Sequence, residues 1–112
     1  MSDVAIQLAV VRQRIECAAH RARRPPSAVT LVGVTKGVGA DAIDEAVGCG
    51  LTDVGENRVQ EALAKHELLQ ARWATRGDAH IVGQSLRWHL IGHLQRNKVT
   101  HALALFDVIH SV

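Results

Sequence analysis

Tyrosine is absent from this chain, phenylalanine occurs once and tryptophan twice. With so little aromatic surface, the interior has to be built from Val, Leu, Ile and Ala. Cysteine occurs only as Cys17 and Cys49, with no C-x-x-C. Such sparse use suits reduced thiols serving as small core residues in a cytoplasmic protein. No apolar run reaches 18 residues, the least a membrane-spanning helix needs, so no membrane partner is expected. Asp3, Arg12 and Arg14 break up the stretch where a signal peptide would need its apolar core. A formal net charge of +2 is too weak to argue for any charged partner. Arg21, Arg23 and Arg24 run straight into Pro25-Pro26 without interleaved aromatics. They read as a solvated helix end, where cations are favoured, and not as a nucleic-acid contact.

What remains is an ordinary globular composition, 47% hydrophobic and 21% charged, in 112 residues, enough for one modest domain. Val4, Leu8, Val11 and Ile15 recur at helical spacing, with Ser2 available as a cap, and predict a helix from residue 3 to about 22. Ala28 to Thr35 is short, β-branched and nearly all apolar, as expected of a strand buried on both faces. Asp41 to Val47 predicts a short helix that Gly48 and Gly50 end, followed by a strand from Leu51 to Gly55. Arg58 to about Arg72 predicts a helix with Val59, Ala62, Leu63 and His66 turned inward and Glu61 paired with Lys65. Residues 73–86 lack a period and are expected to form a surface insertion. Strands at Arg87–Gly92 and Asp107–Val112 flank a helical segment at Asn97–Leu105. The resulting α-β-α-β-α-β-α-β order implies a parallel sheet with helices outside it.

Each predicted strand ends in polar or glycine-rich residues: Lys36, Glu56-Asn57, Gly92-His93 and His110-Ser111. Ligands of α/β folds gather at those carboxyl ends. Lys36 stands out, an amine at the mouth of a buried strand followed by Gly37-Val38-Gly39. Desolvation there would favour the neutral, nucleophilic form that condenses with an aldehyde. A rival reading takes Gly37-Val38-Gly39-Ala40-Asp41-Ala42 as G-x-G-x-x-A, with Glu56 where a ribose-binding acid would fall. His89 and His93 lie four apart, but across a strand end that spacing does not converge on a metal, so no metal site is assigned. Ser85 and Ser111 have no nucleophile elbow around them.

Three ordered motifs add a resemblance. Val34-Thr35-Lys36, Gly55-Glu56-Asn57-Arg58-Val59-Gln60-Glu61 and the run from Trp88 to Lys98 match patterns V-[ST]-K, G-E-N-x-V-Q-E and W-H-x-I-G-x-L-Q-x-N-K. By them the chain resembles the pyridoxal-phosphate homeostasis proteins, whose fold is the barrel of the alanine racemase N-terminal domain. The resemblance implies the first four β/α units of a (β/α)₈ TIM barrel, truncated, spanning residues 1–112. It implies pyridoxal 5′-phosphate (PLP) as cofactor, held as an internal aldimine on Lys36, with Asn57 lining the pocket. Strand alternation turns His89 into the barrel beside the ring, or leaves it a satisfied core histidine, with Trp88 packed against the outer helices. Asn97 is expected to cap a helix. The function implied is PLP binding and intracellular PLP homeostasis with no established turnover and no catalytic residue. With no tyrosine to serve as opposed base, a racemase-like or lyase-like enzyme stands as an alternative, beside a dinucleotide-binding module and an inert truncated fragment.

Two departures from the family pattern shape the remaining expectations. Family members usually place a proline soon after the lysine, whereas Gly37-Val38-Gly39 predicts a more mobile loop. A complete barrel has eight strands and about 250 residues, with its phosphate site built by the loops after strands 7 and 8. Four strands would leave two unpaired edges. The expected outcomes are homo-oligomers through the half-barrel edges, marginal stability, or a stretch of a longer parent.

Overall fold

A computed structural model describes residues 3–77 and 86–110. The elements run α1 (Asp3–Arg21), β1 (Gly33–Val34), α2 (Ala40–Gly48), β2 (Asp53–Glu56), α3 (Val59–Arg76), β3 (Arg87–Leu90), α4 (Val99–Leu105) and β4 (Val108–Ile109). All three strand pairings are parallel, in spatial order β1-β2-β3-β4. Strand–helix alternation in the sequence has therefore produced the parallel α/β sheet it predicts.

Boundaries moved where tertiary pairing outweighed local pattern. Of the strand expected over Ala28–Thr35, only Gly33–Val34 joins the ladder, because β1 is an edge with one neighbour, and Pro26–Ala28 forms a 3₁₀ turn. α1 ends as expected near Arg21. Arg23 closes it in a left-handed conformation (φ 57°), with Arg24 N–H donating to Ala19 O and Arg23 N–H to His20 O. That is a Schellman-type end built without the usual glycine. α3 continues to Arg76 and carries Trp73 into the core at 1% exposure, so the expected insertion at 73–86 begins inside a helix. Residues 78–85 lie outside the described residues, as do Ser2, Ser111 and Val112. Cys17, expected in the core, is exposed, and Cys49 is half-buried. Asn97 sits in a 3₁₀ turn (Arg96–Lys98), and no side chain caps α4.

The two faces of the sheet differ in chemistry. Register puts Val54 beside Trp88 and Glu56 beside Leu90, all turned towards the helices. Trp88 meets His66 of α3 edge to face at 5.7 Å, and Ile43, Leu69 and Trp73 complete that apolar layer. Burial holds the His66 imidazole below its ordinary range, only partly offset by the charge of Glu67. The opposite face carries Val34, Asp53, Gly55, Arg87 and His89.

Asp44 fastens α2 to α3. It accepts from the Trp73 indole N–H at 2.8 Å and from both Arg76 guanidinium nitrogens at 3.0 and 2.7 Å, with Arg72 3.7 Å away. Burial disfavours the carboxylate, but the Arg76 and Trp73 hydrogen bonds and the Arg76 and Arg72 charges outweigh it, leaving the acid below its usual range. A carboxyl depressed in the folded state contributes stability above its unfolded pKa and loses it as pH falls through the folded value. Asp44→Ala should therefore cost about 2 kcal/mol in urea melts at pH 7. The difference should shrink steadily in melts taken below about pH 4.

Candidate functional site

The carboxyl ends of the strands all lie along one edge, and β1 reaches it through a turn. Thr35 N–H donates to Gly55 O at 2.8 Å, the last bond to β2, and Val38 N–H returns to Thr35 O at 3.0 Å. Lys36 and Gly37 are the middle residues of that turn. Gly37 takes φ +72°, a geometry that excludes most side chains at this position. Lys36 is exposed, and a Cβ built on Gly37 or Gly39 would meet nothing within 4 Å. The expectation of a desolvated amine is not met in this stretch. Extending the strand register past the ladder places Lys36 level with Asn57, Ile91 and His110.

Beneath the turn lies a buried pair that the sequence reading had not assembled. Glu56 is 1% exposed and turned into the helix layer, where Oε1 lies 2.8 Å from Lys65 Nζ. Its other oxygen accepts from the Thr35 hydroxyl at 2.7 Å. Lys65 Nζ also donates to Thr35 O at 2.6 Å, the same carbonyl that closes the turn around Lys36. Lys65 thus pairs with Glu56 and not, as its i, i+4 spacing suggested, with Glu61. The signal was the joint presence of a carboxylate at an even, helix-facing strand position and a lysine on the inward stripe of α3. The same contacts dispose of the dinucleotide reading. Its ribose-binding acid, Glu56, is sealed in the helix layer and committed to a lysine.

Asn57 is half-buried one residue beyond Glu56. It borders a cavity of about 490 Å³ with Arg58, Val59, Gln60, Glu61, His93, Gln95 and Lys98, between the start of α3 and the segment after β3. Neither Lys36 nor His89 lines that cavity, so of the three predicted cofactor residues only Asn57 borders it. Gly92 is needed there by contact: a Cβ would lie 2.5 Å from Asn57 O and 2.7 Å from Asn57 Cβ.

His89 is 5% exposed on the inner face, and its ring bridges Asp53 and His110. Nε2 lies 2.7 Å from Asp53 Oδ2, and Nδ1 lies 2.9 Å from His110 Nε2. Asp53 also accepts from the Thr52 hydroxyl at 2.7 Å, with Arg87 Nε at 3.8 Å. Burial raises the Asp53 carboxyl, but the His89 and Thr52 hydrogen bonds and the His89 and Arg87 charges prevail and hold it low. His89 is thus a satisfied histidine on the inward face, with both ring nitrogens engaged. His110, read from sequence only as part of a polar strand end, is its rim-side partner.

Four parallel strands with helices to one side and polar side chains collected at the carboxyl edge form a parallel α/β sheet, the class of fold in which ligands gather at the strands' carboxyl ends. No protein-family model matches the chain. Curated relatives do. The pyridoxal phosphate homeostasis protein of Escherichia coli is 39% identical over 112 residues, all of this chain and 44% of the relative. The protein of the same name from Aquifex aeolicus is 39% identical over 106 residues, 95% of this chain and 41% of the relative. Among solved structures, PipY of Synechococcus elongatus, with PLP bound, superposes with a TM-score of 0.70 at 41% identity. That match covers 98% of this chain and 42% of PipY. A protein of unknown function from Bifidobacterium adolescentis reaches 0.81 at 34% identity, over all of this chain and 47% of that one. The chain belongs to the pyridoxal phosphate homeostasis protein family, and it spans less than half the length of the curated relatives it matches.

The buried pair yields two expected outcomes. Lys65→Ala would strand the Glu56 carboxylate in the helix layer and should lower stability by roughly 3–5 kcal/mol, while Glu56→Gln with Lys65→Met together should cost less than Lys65→Ala alone. Chemical denaturation of the three variants checks this. Gly92→Ala should cost about 1–3 kcal/mol by pushing Asn57 aside, read from the same melts.

Proposed function

We propose that this chain supplies the PLP-binding lysine of a cytoplasmic PLP homeostasis protein, with Lys36 forming the covalent imine to the cofactor aldehyde. The observation that carries the reading is the exposed Lys36 at the middle of a turn on the carboxyl edge, beside open space at Gly37 and Gly39. It is supported by 41% identity to PipY, a protein solved with PLP bound. The surroundings fit the group. The amine is unburied, the nearest strand-end carboxylate, Glu56, is turned to the other face and neutralised by Lys65, and Asn57 offers an amide at the same level. When bound, PLP supplies an aldehyde that condenses with amines. The chain's own residues fix where that amine stands: Thr35 O ties the turn, Lys65 ties Thr35, and Gly37 leaves the approach open. His89 belongs to the supporting wall of the inner face in this reading, behind Lys36 and Asn57. The reading is of a binding protein, without a turnover reaction.

The architecture we infer for the whole is an alanine-racemase-type (β/α)₈ barrel of which residues 1–112 are the first four units. β1 and β4 are both edges of the sheet, and Val34 on the inner face is 52% exposed. Further β/α units or a second copy would cover them. Sedimentation of the isolated 112-residue chain should accordingly show a mass that rises with concentration; a strictly monomeric species with a sharp melt would contradict that. The cofactor reading is tested by titrating the chain with PLP and following the visible imine absorbance. The expected result is a saturable band that Lys36→Ala abolishes with the melting temperature unchanged, since Lys36 is exposed and has no packing to lose.

A further inference from the structure

The cavity of about 490 Å³ between the start of α3 and the segment after β3 is not bordered by Lys36. Every residue around it falls within two of the three sequence motifs, 55–61 and 88–98. We propose that this cavity is a separate binding site for a small phosphorylated polyol, with Arg58 and Lys98 holding the phosphate from its two walls.

The walls are set by the two inner strands of the sheet. Glu56 pairs with Leu90, and Ile91 N–H donates to Glu56 O at 2.9 Å. One residue further on, Gly92 packs against Asn57 so closely that a Cβ would collide with its carbonyl. The two segments then part. One enters α3 at Val59, and the other passes through the 3₁₀ turn Arg96–Lys98 into α4. The space left between them is the cavity. Since β2 and β3 lie inside the sheet, both walls are complete within this chain, whatever covers the β1 and β4 edges.

The lining selects an anion. Neither Arg58 nor Lys98 meets a carboxylate within ion-pair distance among the described residues. Other cations nearby are committed to the fold: Lys65 to Glu56, Arg72 to Asp41 and Arg76 to Asp44. Around the cavity, two cations face the single carboxylate of Glu61, which leaves it positive. A phosphate monoester suits this arrangement better than a carboxylate. Its three terminal oxygens can accept from a guanidinium fork on one wall and an ammonium on the other at the same time. The cavity is also larger than a phosphate group needs, and lies in the range of small-molecule sites. The remainder of the ligand must be polar. Val59, 6% exposed, is the only apolar residue among the described residues that border the cavity, and no Phe or Trp is there to stack a nucleobase. Gln60 and Gln95 can each donate and accept, and Glu61 accepts, which matches hydroxyl groups. None of these three side chains has a hydrogen bond of its own among the described residues.

Titration of the full chain with glycerol 3-phosphate, followed through backbone amide NMR shifts, tests the assignment. Saturable shifts should concentrate at residues 58–61 and 93–98. Inorganic phosphate should bind more weakly, and glycerol should give no shifts in the same range. Arg58→Gln and Lys98→Gln should each weaken binding about tenfold, the loss of one hydrogen bond to a charged group. Arg14→Gln removes the same charge from the exposed surface of α1 and should leave affinity unchanged. The amide spectra of the free variants establish that each is folded. Shifts spread over the whole surface, no saturation in the millimolar range, or equal losses in Arg14→Gln and the cavity variants would overturn the site. Inorganic phosphate binding as tightly as glycerol 3-phosphate would overturn the polyol assignment. Labelling of Lys36 by PLP does not enter the readout, so this proposal and the cofactor reading fail independently.

Discussion

The buried ion pair between Glu56 and Lys65 is the constraint from which the rim takes its shape. A carboxylate at 1% exposure is costly to bury, and it survives here because α3 delivers an ammonium 2.8 Å away and Thr35 donates a hydroxyl. The same ammonium holds the Thr35 carbonyl, which in turn closes the turn bearing Lys36. One electrostatic contact therefore joins β1, β2 and α3 where the loops of the carboxyl edge begin. Ordinary apolar burial could hold the layers together, but it is non-directional and would not fix the turn.

The sheet divides its labour between faces. Helix-side positions carry Val54, Trp88 and Leu90 into an apolar layer, and the Glu56 carboxylate there is neutralised by Lys65. Inner-face positions carry Asp53 and His89, buried yet hydrogen-bonded to each other, with His110 at the outer end. A one-residue change of register would exchange these sets and strand charges in the core. The alternation is thus both a folding restraint and the reason that the rim faces one way.

Much of this was legible in the sequence, and the misses have physical causes. The element order and the parallel sheet followed from helix and strand periods, and the family from three motifs. Ala28–Thr35 read as a full strand because its composition is β-branched, but an edge strand is limited by the length of its neighbour, which no local pattern reports. Trp73 looked like the start of an insertion because the apolar period lapses after it; its indole N–H is satisfied by Asp44 from another helix, invisible to a window of sequence. The partner of Lys65 was misread for the same reason. At helical spacing Glu61 is the local candidate, while Glu56 wins through the fold. Lys36 was singled out by its position before the glycines, but its exposure contradicts the desolvation first invoked for it. Register brings Asn57 level with Lys36, and the His89 ring contacts Asp53 and His110.

The chain has three lysines, in very different settings. Lys65 is 12% exposed and ion-paired, Lys98 borders the cavity beside Arg58, and Lys36 is exposed on the turn. Reduction of the PLP adduct with borohydride followed by peptide mass mapping distinguishes them in a single experiment. The account predicts the pyridoxyl mass on Lys36 alone at one equivalent of cofactor. A label on Lys98 or Lys65, or one spread evenly over all three, would contradict it.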